Sequence, residues 1–138
     1  MKVRAFDHMV LTVADPQATS DWYARVLGME PISFEAVDGT TRLALKFGSW
    51  KINLHKAGAE YSPHATRPAP GSADLCFLID ADLGDFAVML LSEGIEIEEG
   101  PVPRTGATGP ITSMYLRDPD GNLLEVSVPD AMGGGAAP

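Results

Sequence analysis

The sequence predicts an α+β fold built from two tandem βαβββ modules whose strands form a cupped, mixed sheet. Two observations carry this expectation. The order strand, helix, three strands occurs twice, with a period of roughly 65 to 70 residues visible in element order rather than in residue identity. A stretch rich in proline and glycine separates the two occurrences. At 138 residues the chain matches one domain, and such a length buries enough surface to fold without a disulfide or a structural metal.

The elements follow in order. Residues Val3 to Val13 are apolar and β-branched without Gly or Pro, which predicts a first strand. At Asp15-Pro16 the pattern changes: Asp15 suits an N-cap, Pro16 suits the first helical position, and Ala18, Trp22, Tyr23, Val26 and Leu27 recur at helical spacing until Gly28. Trp22 and Tyr23 are read as helix packing. Three extended runs follow, Pro31 to Val37, Thr41 to Phe47 and Trp50 to His55, separated by Asp38-Gly39 and Gly48-Ser49 turns. The first module is thus residues 1–56, and residues 57–71 form an irregular connection. In the second module, 72–128, a strand from Ser72 to Asp80 precedes a helix from Leu83 to Glu93, ended by Gly94. Strands are then expected over Ile95 to Val102, Ile111 to Arg117 and Asn122 to Val128, the last two joined by a turn at Asp118-Pro119-Asp120-Gly121. Residues 129–138, with three consecutive glycines, are expected to be a disordered tail.

Charge narrows the partners. With 19 acidic against 10 basic residues the net charge is −9, so nucleic acid and anionic membranes are repelled. No apolar run reaches the roughly 18 to 20 residues of a membrane span. The lone Cys76 has no partner for an internal disulfide, and the N-terminus carries no secretory pattern, so a cytoplasmic protein is expected.

Two of the three histidines, His8 and His55, fall inside predicted strands. Period-two alternation puts His8 on one face with Phe6, Val10 and Thr12, and His55 on one face with Asn53. In the second module the first strand carries Asp74 and the last carries Glu125. The spacings are close, 47 residues from His8 to His55 and 51 from Asp74 to Glu125. Each module therefore offers one ligand-capable side chain on its first strand and one on its last. Two imidazoles and two carboxylates suit Zn, Ni, Mn, Fe or Co with water in open positions. Asp74 stands either as a fourth ligand or as a hydrogen-bond acceptor behind the others. Tyr115, Arg117 and Arg104 are weaker candidates for substrate contact, Arg104 at the start of a Gly-rich stretch running to Gly109-Pro110. His64 is read as exposed, and Cys76 as a small core residue without an activating cation.

Three stretches of the chain resemble the vicinal oxygen chelate superfamily, which includes glyoxalase I, fosfomycin and bleomycin resistance proteins and extradiol dioxygenases. They are FDHMVLTVAD with His8, DWYARVLGME, and YLRDPDGNLLEVSV with Glu125, and the likeness covers about residues 3 to 128. It implies paired βαβββ modules around one divalent metal that a small substrate chelates through adjacent oxygens. His8 matches the family's first metal position and Glu125 its last. Glyoxalase I members carry a carboxylate where this chain has His55 and a histidine where it has Asp74, so the residue types are exchanged here. The implied activity is a lyase or isomerase in which Glu125 or Asp74 moves a proton. The alternatives are a binding protein that sequesters an antibiotic or apolar metabolite without chemistry, and a non-haem iron dioxygenase. Short members of this type imply a homodimer, with the modules of one site drawn from one chain or exchanged between two.

Overall fold

The structure, a computed structural model, describes residues 1–130. The tail expected from Pro129 onward thus lies, beyond Asp130, outside the described residues. Elements follow in the order β1 (His8–Val13), α1 (Pro16–Leu27), β2 (Glu30–Glu35), β3 (Thr41–Phe47) and β4 (Trp50–Lys56). After the connection come β5 (Asp74–Leu78), α2 (Leu83–Ser92), β6 (Glu99–Thr105), β7 (Pro110–Arg117) and β8 (Leu123–Pro129). Two compact units result, one of Met1–Ala73 with Pro119–Gly121, the other of Asp74–Asp118 with residues 122–130. No helix among the described residues is long and apolar enough to cross a membrane.

In the first unit the strand order is β1-β4-β3-β2, with β1 and β4 parallel and the other pairs antiparallel. Parallel neighbours need a crossover, and α1 supplies part of it. Asp15 caps α1 by accepting from the Gln17 and Ala18 amides, Pro16 stands at the first turn, and Gly28 ends the helix at φ 66°, a left-handed conformation glycine adopts without strain. One face of the sheet is apolar, with Leu11 and Val13 of β1, Ile52 and Leu54 of β4 and Leu45 of β3 buried together with Tyr23 and Val26 of α1. The opposite parity, His8, Val10 and Thr12 of β1 with Lys51, Asn53 and His55 of β4, forms the other face.

The second unit repeats this plan as β5-β8-β7-β6, with β5 and β8 parallel. Leu124, Val126, Met114 and Leu116 are fully buried, as is Leu90 of α2, and Phe86 of the same helix is buried. Asp82 caps α2 by accepting from the Asp85 amide.

Several expectations shift at element ends: β2 stops at Glu35 rather than Val37, β5 spans Asp74–Leu78 rather than Ser72–Asp80, and α2 ends at Ser92 with Glu93 as its cap. The first strand begins at His8 rather than Val3, because β4 offers partners only from Lys51 onward; Met1, Val3 and Phe6 lie exposed ahead of it. The third-last strand begins at Glu99 rather than Ile95 and runs on to Thr105, so Arg104 belongs to a strand and the Gly-rich loop shrinks to 106–109. The β6–β7 register slips between Glu99 and Val102. Gly100 stands in that slip at φ 112°, where a β-carbon would meet the Ser113 carbonyl oxygen at 2.5 Å. Pro129, expected in the tail, closes β8 at its end.

The turn between β7 and β8 is held by its own side chains. Asp118 is buried and accepts from the Asn122 amide (2.9 Å) and from Asn122 Nδ2 (2.7 Å), while Asp120 Oδ1 accepts from the Ala14 amide just before α1. Replacing Asn122 by Ala removes a donor from a buried carboxylate, which costs on the order of 2 kcal/mol. Urea unfolding of Asn122→Ala is expected to show a lower midpoint at unchanged slope; an unchanged midpoint would show that the turn does not depend on this pair.

Candidate functional site

In the first unit His8 opens β1 on the face away from α1. Its Nδ1 lies 2.8 Å from Asp7 Oδ2, and this bond, ahead of any charge effect, lowers the Asp7 carboxyl below the usual range. An imidazole whose Nδ1–H is held by a carboxylate keeps Nε2 as a lone-pair donor, the arrangement usual for metal-binding histidines. The parallel register pairs His8 with Lys51, Val10 with Asn53 and Thr12 with His55. His55 thus sits four residues farther along the ladder than His8, roughly 13 Å at 3.3 Å per residue. The sheet does not bring these two together.

Asn53 stands nearer, one step of the same parity beyond the His8 row, and its Oδ1 is buried without a hydrogen-bond partner. His55 is instead enclosed by the connection after β4. It is buried, Tyr61 meets its ring edge-on at 5.3 Å, and Arg42 stacks on Tyr61 at 3.7 Å. Its Nδ1 finds no partner. Burial, then the Arg42 charge, lowers the His55 pKa, so the ring is neutral at pH 7.

In the second unit Asp74 begins β5 and pairs with Leu123, while Glu125 pairs with Cys76 on one side and Tyr115 on the other. Asp74 is exposed and Glu125 half-buried. Ser113 Oγ donates to Glu125 Oε2 at 2.6 Å and shares a 2.7 Å bond with Ser127 Oγ, which lies 3.4 Å from Cys76 Sγ. Ser113 and Ser127 are fully buried, so the carboxylate is fixed from below by a satisfied hydroxyl pair. Tyr115 accepts from Arg104 Nε at 2.9 Å, and Arg104 also reaches Glu99. Arg117 is engaged by Glu98 through two bonds of 3.0 and 3.1 Å. His64, at the surface of the connection, spends its Nδ1 on the Ala65 carbonyl.

The two modules correspond by register. In each, a first-strand residue is followed, one same-face step along the parallel partner, by a fourth-strand residue: His8 by Asn53, Asp74 by Glu125. Equal residue counting matched His55 to Glu125, but the ladders match Asn53 to it, because the hairpins between helix and last strand differ in length. Each unit thus offers a pair of N or O donors of the kind divalent metals accept. Among the described residues no three His, Cys, Asp or Glu side chains gather as a metal-holding group. Alternation in the sequence puts Asn53 on the face of His55 and Ser113 on that of Tyr115, but only the ladder register singles them out; the enclosure of His55 by Tyr61 and Arg42 has no sequence signal.

The family model described as the Glyoxalase/Bleomycin resistance protein/Dioxygenase superfamily matches residues 5–126. The chain is 50% identical over 127 residues to Virulence protein STM3117 of Salmonella typhimurium, covering 92% of this chain and 85% of that protein. The crystal structure of that relative superposes with a TM-score of 0.88 at 49% identity, over 94% of this chain and 100% of the other. It is 51% identical to Glyoxalase domain-containing protein RDO1 of Mycosarcoma maydis, over 92% of this chain and 69% of the relative. The same fold occurs in a lactoylglutathione lyase from Agrobacterium tumefaciens, with TM-score 0.66, 23% identity and coverage of 92% of this chain and 95% of the other. It occurs too in TnmS3, an antibiotic binding protein from Streptomyces sp. CB03234, with TM-score 0.68, 23% identity and coverage of 94% and 99%.

Cys76, expected in the core, is instead exposed beside this polar row, because β5 places it on the face away from α2. Desolvation, with the charges of Glu125 and Asp74 added, pushes its thiol up against the opposing bond with Ser127, and only the thiolate is nucleophilic. Alkylation by iodoacetamide at pH 7.5 is expected to run several-fold slower than that of a free thiol and to accelerate as the pH rises past 9. A rate equal to the free thiol at pH 7.5 contradicts this environment.

Proposed function

The chain belongs to the Glyoxalase/Bleomycin resistance protein/Dioxygenase superfamily, and from that premise we propose a divalent-metal-dependent enzyme, an isomerase or lyase, whose small substrate has adjacent oxygens. The observation that supports this most is the donor pair at equivalent register in each module, with Glu125 held by Ser113 and His8 by Asp7. In this reading His8, Asp74 and Glu125 are ligands, Asp74 alternatively an acceptor behind them, and Asn53 takes the position expected of His55. One imidazole, one amide oxygen and two carboxylates suit Zn, Ni, Mn, Fe or Co. Bound there, such an ion supplies Lewis acidity to the substrate oxygens. The chain's own groups do the rest. Glu125, or Asp74, moves a proton at the substrate carbon, and the Ser113 hydroxyl keeps the Glu125 carboxylate oriented for it. Tyr115, with Arg104 behind it, is a candidate substrate contact; Arg117, already engaged by Glu98, is a weaker one.

Among the described residues no three His, Cys, Asp or Glu side chains gather, so the proposal combines a pair from each module, from one chain or from two chains of a homodimer. Each four-stranded sheet ends in edge strands that invite such pairing. The lack of a three-donor group among the described residues favours a second reading, a binding protein that holds a small molecule without chemistry.

Metal analysis of the purified full chain separates these readings. The enzyme is expected to hold about one divalent ion per site and to gain thermal stability with Zn, Ni, Mn or Fe. No stoichiometric metal and no such gain favour the binding protein. His8→Ala and Glu125→Ala are each expected to abolish metal binding with the fold intact, and Ser113→Ala to weaken it roughly 10- to 100-fold. His8→Ala binding metal as tightly as the parent defeats the assignment.

Light scattering at micromolar concentration is expected to give the mass of two chains. Mixed His8→Ala and Glu125→Ala subunits regain a site only when modules are exchanged.

A further inference from the structure

Beyond the metal reading, we propose that the first module carries a separate site for a small organic monoanion, an apolar body bearing one carboxylate or sulfonate. The site is a pocket of about 430 Å³ between β1 and the connection after β4. That volume lies in the range of small-molecule pockets. Val10 and Thr12 line it from β1, His55 from β4, and Pro63, His64 and Arg67 from the connection.

Three observations set the ligand's chemistry. The lining is mostly apolar, which calls for an apolar body. Among the described residues no acidic side chain lines the pocket, whereas Arg67 and two histidines do, although the chain carries nine more negative than positive charges. Arg42, Arg104 and Arg117 each meet an acidic side chain; Arg67 meets none among the described residues. A guanidinium left without a carboxylate at the wall of an apolar pocket is suited to a ligand's anionic group.

The third observation is His55. It is only 6% exposed, it lines the pocket, and its Nδ1 has no hydrogen-bond partner. Buried polar atoms are rarely left so unless a ligand or water completes them. Glu60, whose charge also reaches His55, has its carboxylate engaged by the Gly58 amide. Thr12, buried beside Val10, offers a hydroxyl.

The test uses a matched pair of fluorescent probes, 8-anilino-1-naphthalenesulfonate and its uncharged parent N-phenyl-1-naphthylamine, titrated into the full chain with EDTA present. The sulfonate is expected to bind at one site, at least about tenfold more tightly than the neutral probe, and Arg67→Gln to erase that advantage while leaving the neutral probe unchanged. Arg67→Lys is expected to retain most of it. Ala69→Trp, which fills the pocket, is expected to abolish the response, and Leu91→Ser, on the exposed surface of α2, to leave it intact. Arg67 is exposed, so its variants test the site even where Ala69→Trp fails to fold by circular dichroism. Equal binding of both probes, undiminished sulfonate binding by Arg67→Gln, a response lost only in Leu91→Ser, or binding that requires added metal would each overturn the proposal.

Discussion

The parallel ladder between the first and last strand of each module is the constraint from which the rest follows. A strand can lie parallel to one that comes later in the chain only if the chain crosses over between them, and here α1 or α2, with two intervening strands, makes that crossing. The helix covers one face of the sheet with its apolar stripe, which fixes the parity of every strand. Leu11, Val13, Ile52 and Leu54 must face the helix side, and His8, Asn53 and His55 must not. The same ladder in the second module sends Leu124 and Val126 inward, and Asp74, Cys76 and Glu125 to the other face.

With one helix per sheet, the second face of each module has to be finished by something else, and the two modules do this differently. In the second, hydroxyl groups satisfy one another: Ser113 and Ser127 are fully buried yet bonded, and their chain ends on the Glu125 carboxylate. In the first, the connection after β4 lays Tyr61 against His55 and draws Arg42 onto the Tyr61 ring. That cover is aromatic and cationic rather than hydrogen-bonded, and it leaves Asn53 Oδ1 and His55 Nδ1 without partners. Unsatisfied buried polar atoms are costly in a finished core and informative beside a pocket. The two modules share a plan, therefore, but divide the chemistry, with an oriented carboxylate in one and unspent donors and acceptors in the other.

The turn from Asp118 to Asn122 shows how a short sequence signature acquires its physical content. Its residues suggest a tight turn with Gly121 at positive φ, and Gly121 does adopt φ 87°. What holds it, however, is the buried Asp118 carboxylate accepting from both the backbone and the side chain of Asn122. Asp120 then reaches the Ala14 amide, a group more than a hundred residues away in sequence. The turn thus does more than connect two strands.

By itself the sequence determined the two βαβββ modules, the caps of α1, the hairpin turns and the parity of each strand, because local propensity, capping and period-two alternation act over a few residues. It also singled out His8, Asp74 and Glu125 as candidates, and strand alternation puts each on the face away from the helix of its module. Tertiary structure decided what depends on partners distant in the chain. The first strand starts at His8 because β4 provides no partner before Lys51. The slip at Gly100 exists because β6 passes close over the Ser113 carbonyl. Residue counting could not choose between Asn53 and His55 as the counterpart of Glu125, since hairpin length shifts the count without shifting the ladder. Only the pairing of strands, a long-range hydrogen-bonding register, sets Asn53 near the His8 row and leaves His55 to a pocket of its own.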